Sequence, residues 1–251
     1  MAVTFRVNPK TLANLLHNAL TMAKGRKPVQ PLIYLRYTWD QERGTGQLMA
    51  IGVSQYSAGL DWCDVSTDPD PRGLMDSYSE IRLLGANPEK TDVVDDLTKL
   101  ASAIRSTSAA KDAVVGVTME HKHSFTVQYG EELLGELGDG DEYDLTAGTD
   151  GKLDGVFDKV EDLIDQVNGC PCPDGPVAFN LDVIARVKDL KVSETMVMDV
   201  AAHPDPSKNL VGVAVGPRFR GLVSAIDRGV YAKGGPWLDG PGDASHLLGS
   251  S

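Results

Sequence analysis

The sequence predicts an α+β fold assembled from repeated β-α-β-β-β units. Three observations predict it. Thr4-Phe5-Arg6-Val7 alternates polar and apolar residues and runs directly into an amphipathic helix. Several runs rich in β-branched and aromatic residues follow, separated by turn-length gaps. The order of strand, helix and strands then returns further along the chain.

In the first block Phe5 and Val7 share one strand face. Asn8-Pro9 is a helix entry, because an Asn oxygen accepts from unpaired first-turn N–H groups and Pro has no N–H to lose. Leu12, Leu15, Leu16, Ala19 and Leu20 recur at helical spacing, and Gly25 and Pro28 end the helix. Strands are expected at 32–39, 47–53 and 56–65, forming an antiparallel meander with a turn around Gly44 and Gly46. Residues 66–72 read as a polar linker.

The second block opens on a short strand at 80–84 and a helix at 91–105. The helix stripe is Val93, Val94, Leu97, Leu100, Ala101 and Ile104, with Thr91 or Asp92 as cap. Residues 114–120 and 124–130 read as a hairpin, with an added strand at 133–137. The Asp- and Gly-rich run 138–155 reads as a loop or linker, and an acidic amphipathic helix follows at 156–167 until the Pro-rich run 170–176 stops it. In the third block 177–179 is a strand, and Asn180 caps a helix carrying Leu181, Ile184, Val187 and Leu190. Strands are expected at 195–201, 210–215 and 219–226. The opening TFRVNPKTLANLL is similar to VAFNLDVIARV, an internal repeat of long period. Residues after 229 are Gly- and Pro-rich and read as a loosely ordered tail.

Composition excludes several classes. Of 251 residues, 41% are hydrophobic and 24% charged, the balance of a soluble globular protein. With 24 Lys and Arg against 36 Asp and Glu, the formal charge is −12, which excludes a uniformly basic nucleic-acid coat but allows local basic patches. No apolar run approaches the roughly 20 residues that span a bilayer. The opening residues carry no charged-then-apolar leader, so a cytoplasmic location is expected. The chain holds 3 cysteines, which cannot all pair.

No catalytic or cofactor motif stands out. The segment Gly216-Pro-Arg-Phe-Arg-Gly221 lacks the following Lys-Ser/Thr of a phosphate-binding loop, and there is no Gly-x-Ser-x-Gly elbow. His121-x-His123, read as lying on a strand, and Cys170-x-Cys172 supply four candidate zinc ligands. Cys-x-Cys is tighter than the usual knuckle and the pairs are far apart in sequence, so no metal is expected. The acidic run 139–144 lacks the Gly and the Glu that a calcium loop requires and reads as a solvated linker.

The placement of the bases is more informative than their number. The first helix and its end carry Lys10, Lys24, Arg26 and Lys27. The second carries Lys99, Arg105 and Lys111, and the third Arg186, Lys188 and Lys191. If these helices share one face, that face meets phosphates while the rest of the chain stays acidic.

Repeated β-α-β-β-β units, acidic overall with modestly basic helices, resemble the DNA sliding clamps, most closely the bacterial β-clamp type. The residues that carry the resemblance are Phe5-Arg-Val-Asn-Pro-Lys-x-Leu12, Pro31-Leu-Ile, Leu48-Met-Ala-Ile and the run VVGVTMEHKHSFTVQYGEELLGEL. Residues 177–219 resemble a final half-domain, with NLVGVAVGPRF in the place of the closing strand. The resemblance implies clamp-like domains at 1–145 and 146–228, the second shortened around 156–167, followed by a tail at 229–251. It implies a non-enzymatic processivity factor or scaffold of DNA replication. Such a protein contacts the DNA backbone without sequence preference, forms a homo-oligomeric ring and binds a polymerase. Clamps hold partner peptides in a groove beside the C-terminus, which places Pro217, Arg218 and Phe219 near that groove.

The sequence also resembles proteins of actinobacterial phages, some of which encode recombination directionality factors for large serine integrases. That resemblance implies an alternative partner: a serine integrase switched toward excision.

Overall fold

The computed structural model describes residues 2–24, 32–40, 42, 44–67, 79–84, 93–107, 114–129, 132–133, 136–137, 141–146, 155–167, 170–171, 181–192, 198–202 and 210–224. The first block comprises β1 (Ala2–Val7), α1 (Pro9–Ala23), β2 (Leu32–Asp40), β3 (Thr45–Val53) and β4 (Ser57–Thr67). The second comprises β5 (Ser79–Leu84), α2 (Val93–Thr107), β6 (Val115–Glu120), β7 (Ser124–Tyr129), β8 (Glu132–Leu133), β9 (Glu136–Leu137) and β10 (Asp141–Thr146). Then come α3 (Val156–Val167), α4 (Leu181–Asp189), β11 (Met198–Ala202), β12 (Leu210–Val215) and β13 (Phe219–Ser224). The fold is α+β, and the expected β-α-β-β-β order is present in the first two blocks.

Local chemistry sets the ends of these elements. The Asn8 side chain accepts from the Thr11 N–H at 3.2 Å, with Pro9 in the first turn of α1. The helix stops at Lys24, whose N–H still donates to the Leu20 carbonyl at 3.0 Å. Gly44, at φ 63°, turns the chain between β2 and β3, where a Cβ is disfavoured.

The strands form one sheet in the order β10-β7-β6-β1-β4-β13-β12-β11, with β3 also on β4, β2 on β3, and β5 on β2. The first two blocks exchange their leading strands. β1 joins the second block beside β6, and β5 joins the first block beside β2. Each block is therefore completed by the other. β4 is shared: β3 lies along one edge, and β13 and the second half of β1 divide the other.

Alternation along β4 shows the two faces. Cys63 and Val65 join the core under α1 and α2, together with Phe5, Ile33, Leu35, Tyr37 and Phe125. Ala58, Leu60 and Trp62 face the other way and meet α3, whose stripe is Phe157, Val160, Ile164 and Val167. Tyr34 stacks on Phe157 at 4.7 Å, and Arg36 pairs with Glu161 at 2.9 Å. A third cluster, including Val187, Leu190, Val213, Val215 and Phe219, seats α4 on the same side as α1. Gly52 lets α1 press onto β3: a Cβ there would lie 1.9 Å from the Ala19 carbonyl oxygen.

A buried polar junction ties these layers together. Asp61, on the α1 side of β4, is 1% exposed and accepts from Asn18 Nδ2 at 2.8 Å. The Asn18 oxygen accepts from the Lys191 N–H at 2.7 Å, just past the end of α4. Arg218, in the β12–β13 turn, lies 3.8 Å from Asp61. Burial pushes the Asp61 carboxyl above its usual range, while Arg218 and Asn18 pull it back.

Several expectations are corrected. His121 and His123 lie in the β6–β7 turn, where Lys122 takes φ 58° and the His123 N–H donates to the Glu120 carbonyl, so strand alternation does not set their directions. The third strand of the second block is β10, not 133–137; those residues contribute the small β8–β9 ladder. β10 falls inside the expected 138–155 loop. Its Leu145 is buried while Glu142 is exposed, so an acidic run pairs as an edge strand anchored by Leu145. β4 extends through Ser66 and Thr67, the first residues of the expected linker, because these pair with Arg6 and Phe5. Gly25, Pro28, Thr91, Asp92, Asn180, strand 177–179 and the tail after 229 lie outside the described residues.

Two substitutions test this packing. Gly52→Ala forces α1 off β3 and is expected to destabilise by about 3 kcal/mol in urea unfolding. Asp61→Asn removes a carboxyl whose raised native pKa favours the folded state at low pH and loses that contribution as pH rises. The stability of the wild type relative to this variant is therefore expected to increase as pH falls toward the ordinary aspartate pKa of about 4.

Candidate nucleic-acid interface

One polar stripe runs along α1 at helical spacing: Lys10, Asn14, His17 and Lys24. Lys10 and Lys24 are exposed, and Asn14 and His17 are half-buried. Packing brings the ends of two other helices to this stripe. Arg105, in the last turn of α2, donates to the Asn14 side-chain oxygen at 3.3 Å. From α4, the Asp189 carbonyl lies 3.1 Å from His17 Nε2, and Lys191 follows, bound through its backbone to Asn18.

The result is a group of cations whose charges reach His17. Burial pushes the His17 pKa below its usual value, and the charges of Arg105, Lys191 and Lys24 push it further down, against the Asp189 carbonyl, which raises it. Three of these cations sit at or beyond helix C-termini, where the backbone dipole favours positive charge. The carboxylates Asp158, Asp162 and Asp165 are exposed on α3, across the sheet from α1. The helices that carry the cations are not free of acid: Asp95 on α2 and Asp182 and Asp189 on α4 are exposed too, and α3 carries an exposed Lys159.

The other expected DNA-facing residues are placed differently. Lys99 is exposed on α2 with Asp96 at 3.7 Å, and Lys188 is exposed near the end of α4. Arg186 turns away from the cluster: Nη1 donates to Ser54 Oγ at 3.0 Å and Ser57 Oγ at 2.8 Å, in the β3–β4 turn. Ser57 spends its own proton on the Met22 carbonyl. Among the described residues no acceptor binds the Nε and Nη2 edge of Arg186, and Tyr56 in the same turn is 44% exposed. Arg26, Lys27 and Lys111 lie outside the described residues.

The expected partner-groove residues are divided as well. Pro217 is exposed, but Arg218 is drawn to Asp61 and Phe219 is 1% exposed in the core beside α4. Among the described residues no group of three or more His, Cys, Asp or Glu is arranged to hold a metal ion. Cys172 lies outside the described residues, and Cys170 donates to the Gln166 carbonyl at 3.2 Å. Burial pushes the Cys63 thiol up to about 12, so it stays protonated. Among the described residues no helix is long and apolar enough to cross a membrane.

His17 and Asn14 complete a site that Lys24, Arg105 and Lys191 only begin. The signal for His17 and Asn14 is the polar stripe opposite the Leu12-Leu15-Leu16-Ala19 stripe. Their meeting with Arg105 and Lys191 is a tertiary event.

Solved structures share this architecture. The Caulobacter crescentus DNA polymerase III β subunit matches with a TM-score of 0.55 at 9% identity, over 89% of this chain and 65% of that one. The β subunit from Pseudomonas aeruginosa matches with a TM-score of 0.51 at 9% identity, over 89% and 66%. The sliding clamp from Bacillus subtilis matches with a TM-score of 0.50 at 8% identity, over 100% and 69%. The chain spans slightly less than two thirds of the length of the first two. No protein-family model matches the chain, and no curated protein matches its sequence. With its exchanged leading strands and adjacent helices on one side of the sheet, the chain has the fold of the bacterial sliding clamps.

Proposed function

We propose that this chain is a non-enzymatic, clamp-like scaffold of DNA replication that holds the DNA backbone on its α1–α2–α4 face. The observation that carries the reading is the convergence of Lys24, Arg105 and Lys191 around His17, on a fold otherwise rich in acid. Phosphate contacts of this kind bind DNA without reading sequence. The reading takes clamp-like domains at 1–145 and 146–228 and a homo-oligomeric ring. A polymerase is the partner this reading implies, in a bacterial cytoplasm. Arg186, at the β3–β4 turn that carries the exposed Tyr56, offers a protein contact with interface chemistry, since Arg and Tyr are enriched among residues that carry binding energy.

A second reading has its own support. Arg186 is committed to serines, Arg218 to Asp61 and Lys99 to Asp96, which leaves few cations for DNA alone. This favours a protein that reaches DNA through a partner. On this reading the partner is a phage serine integrase, as the resemblance to actinobacterial phage proteins implies, with the chain as its recombination directionality factor.

Light scattering and duplex-DNA binding separate the two. A stable multiple of 26.9 kDa, with salt-dependent DNA binding, is expected for the clamp-like scaffold. The double substitution Lys24→Glu with Arg105→Glu is expected to weaken binding by about tenfold or more and to lower the salt slope by about two. A monomer without DNA affinity that promotes recombination between attL and attR in the presence of integrase would establish the second reading instead.

A further inference from the structure

We propose that His17 links DNA binding to protonation: the ring takes up a proton as a backbone phosphate settles among Lys24, Arg105 and Lys191, so binding tightens as pH falls. This rests on the reading of the α1–α2–α4 face above and goes further by naming the proton as a regulator of that face.

The geometry defines the titrating atom. His17 Nε2 lies 3.1 Å from the Asp189 carbonyl oxygen, which can only accept. Nε2 therefore carries the proton of the neutral ring, and Nδ1 is the position that gains or loses one. The groups around the ring come from every helix packed there. On α1 itself stand Asn14 and Lys24; α2 contributes Arg105, held at Asn14. From the α4 side come the Asp189 carbonyl and Lys191, the latter held by Asn18. The charged side chains of Lys188 and Asp189 are exposed on the same turn of α4.

The charges acting on the ring from Lys24, Arg105 and Lys191 are all positive, and burial adds to their effect. The ring is thus neutral near pH 7 in the free protein. A phosphate among the three cations cancels the repulsion that keeps the ring uncharged. By reciprocity, a ligand that favours the protonated ring binds the protonated ring more tightly. Uptake of one proton changes affinity by at most about tenfold per pH unit.

The test is fluorescence anisotropy of a labelled duplex with the full chain, at pH 6, 7 and 8 and constant ionic strength. The wild type is expected to bind several-fold more tightly at pH 6 than at pH 8, and His17→Gln to lose that slope. NMR titration of the His17 ring in the wild type gives a readout that needs no variant. Its pKa is expected to rise when the duplex is added. Salt-dependent binding with no pH slope, a slope unchanged in His17→Gln, or a His17 pKa unmoved by DNA overturns the inference and leaves the helix-face reading standing. Absence of DNA binding throughout this range, even at low salt, overturns both.

Discussion

Asp61 lies on the inner side of β4, away from water, where an unmet carboxylate charge costs several kcal/mol. Asn18 of α1 meets it with a donor, and the other end of the same amide receives the chain leaving α4 through the Lys191 N–H. Arg218 of the β12–β13 turn supplies the nearest opposite charge. One buried group thus constrains the first block, the third-block helix and the closing hairpin together. The position of Lys191 beside His17 follows from that constraint, and so does the cationic face.

The shared strand β4 extends the constraint across the sheet. Because β13 pairs along the first half of β4, the third block continues the sheet of the first. Residue alternation on β4 divides two cores, one under α1 and one under α3. A sheet covered on both faces needs apolar side chains on both, which is why Leu32-Ile33-Tyr34-Leu35 is a continuous buried run. The same covering explains Arg36, which reaches Glu161 beside the α3 stripe and shields a half-buried pair.

The charge pattern acquires meaning from these layers. A net charge of −12 would repel a polyanion if it were spread evenly. The exposed acids of α3 lie across the sheet from the cations at the ends of α1, α2 and α4, and the acids of α2 and α4 (Asp95, Asp182) stand near the opposite ends of those helices. Helix C-termini are favourable places for those cations, so concentrating them there costs less than it would elsewhere on the surface.

The local elements were legible because their signals are local. Asn8-Pro9 opens α1, the leucine stripe gives its buried face, and the 156–167 stripe becomes α3 with the bounds expected for it. The recurrence of strand, helix and strands identified the fold class and its clamp-like character. β10 escaped because its run, Asp141-Glu-Tyr-Asp-Leu-Thr146, is dominated by acids and shows little apolar alternation. The His121–His123 turn escaped because a left-handed Lys122 is an unfavourable choice that propensity argues against. Tertiary structure alone decided the exchange of β1 and β5, the covering of the outer face by α3, and the turn of Arg186 toward Ser54 and Ser57. It also decided which bases gather around His17. Periodicity reports which face of an element is buried, but the neighbour that covers it is set by contacts between residues far apart in the chain.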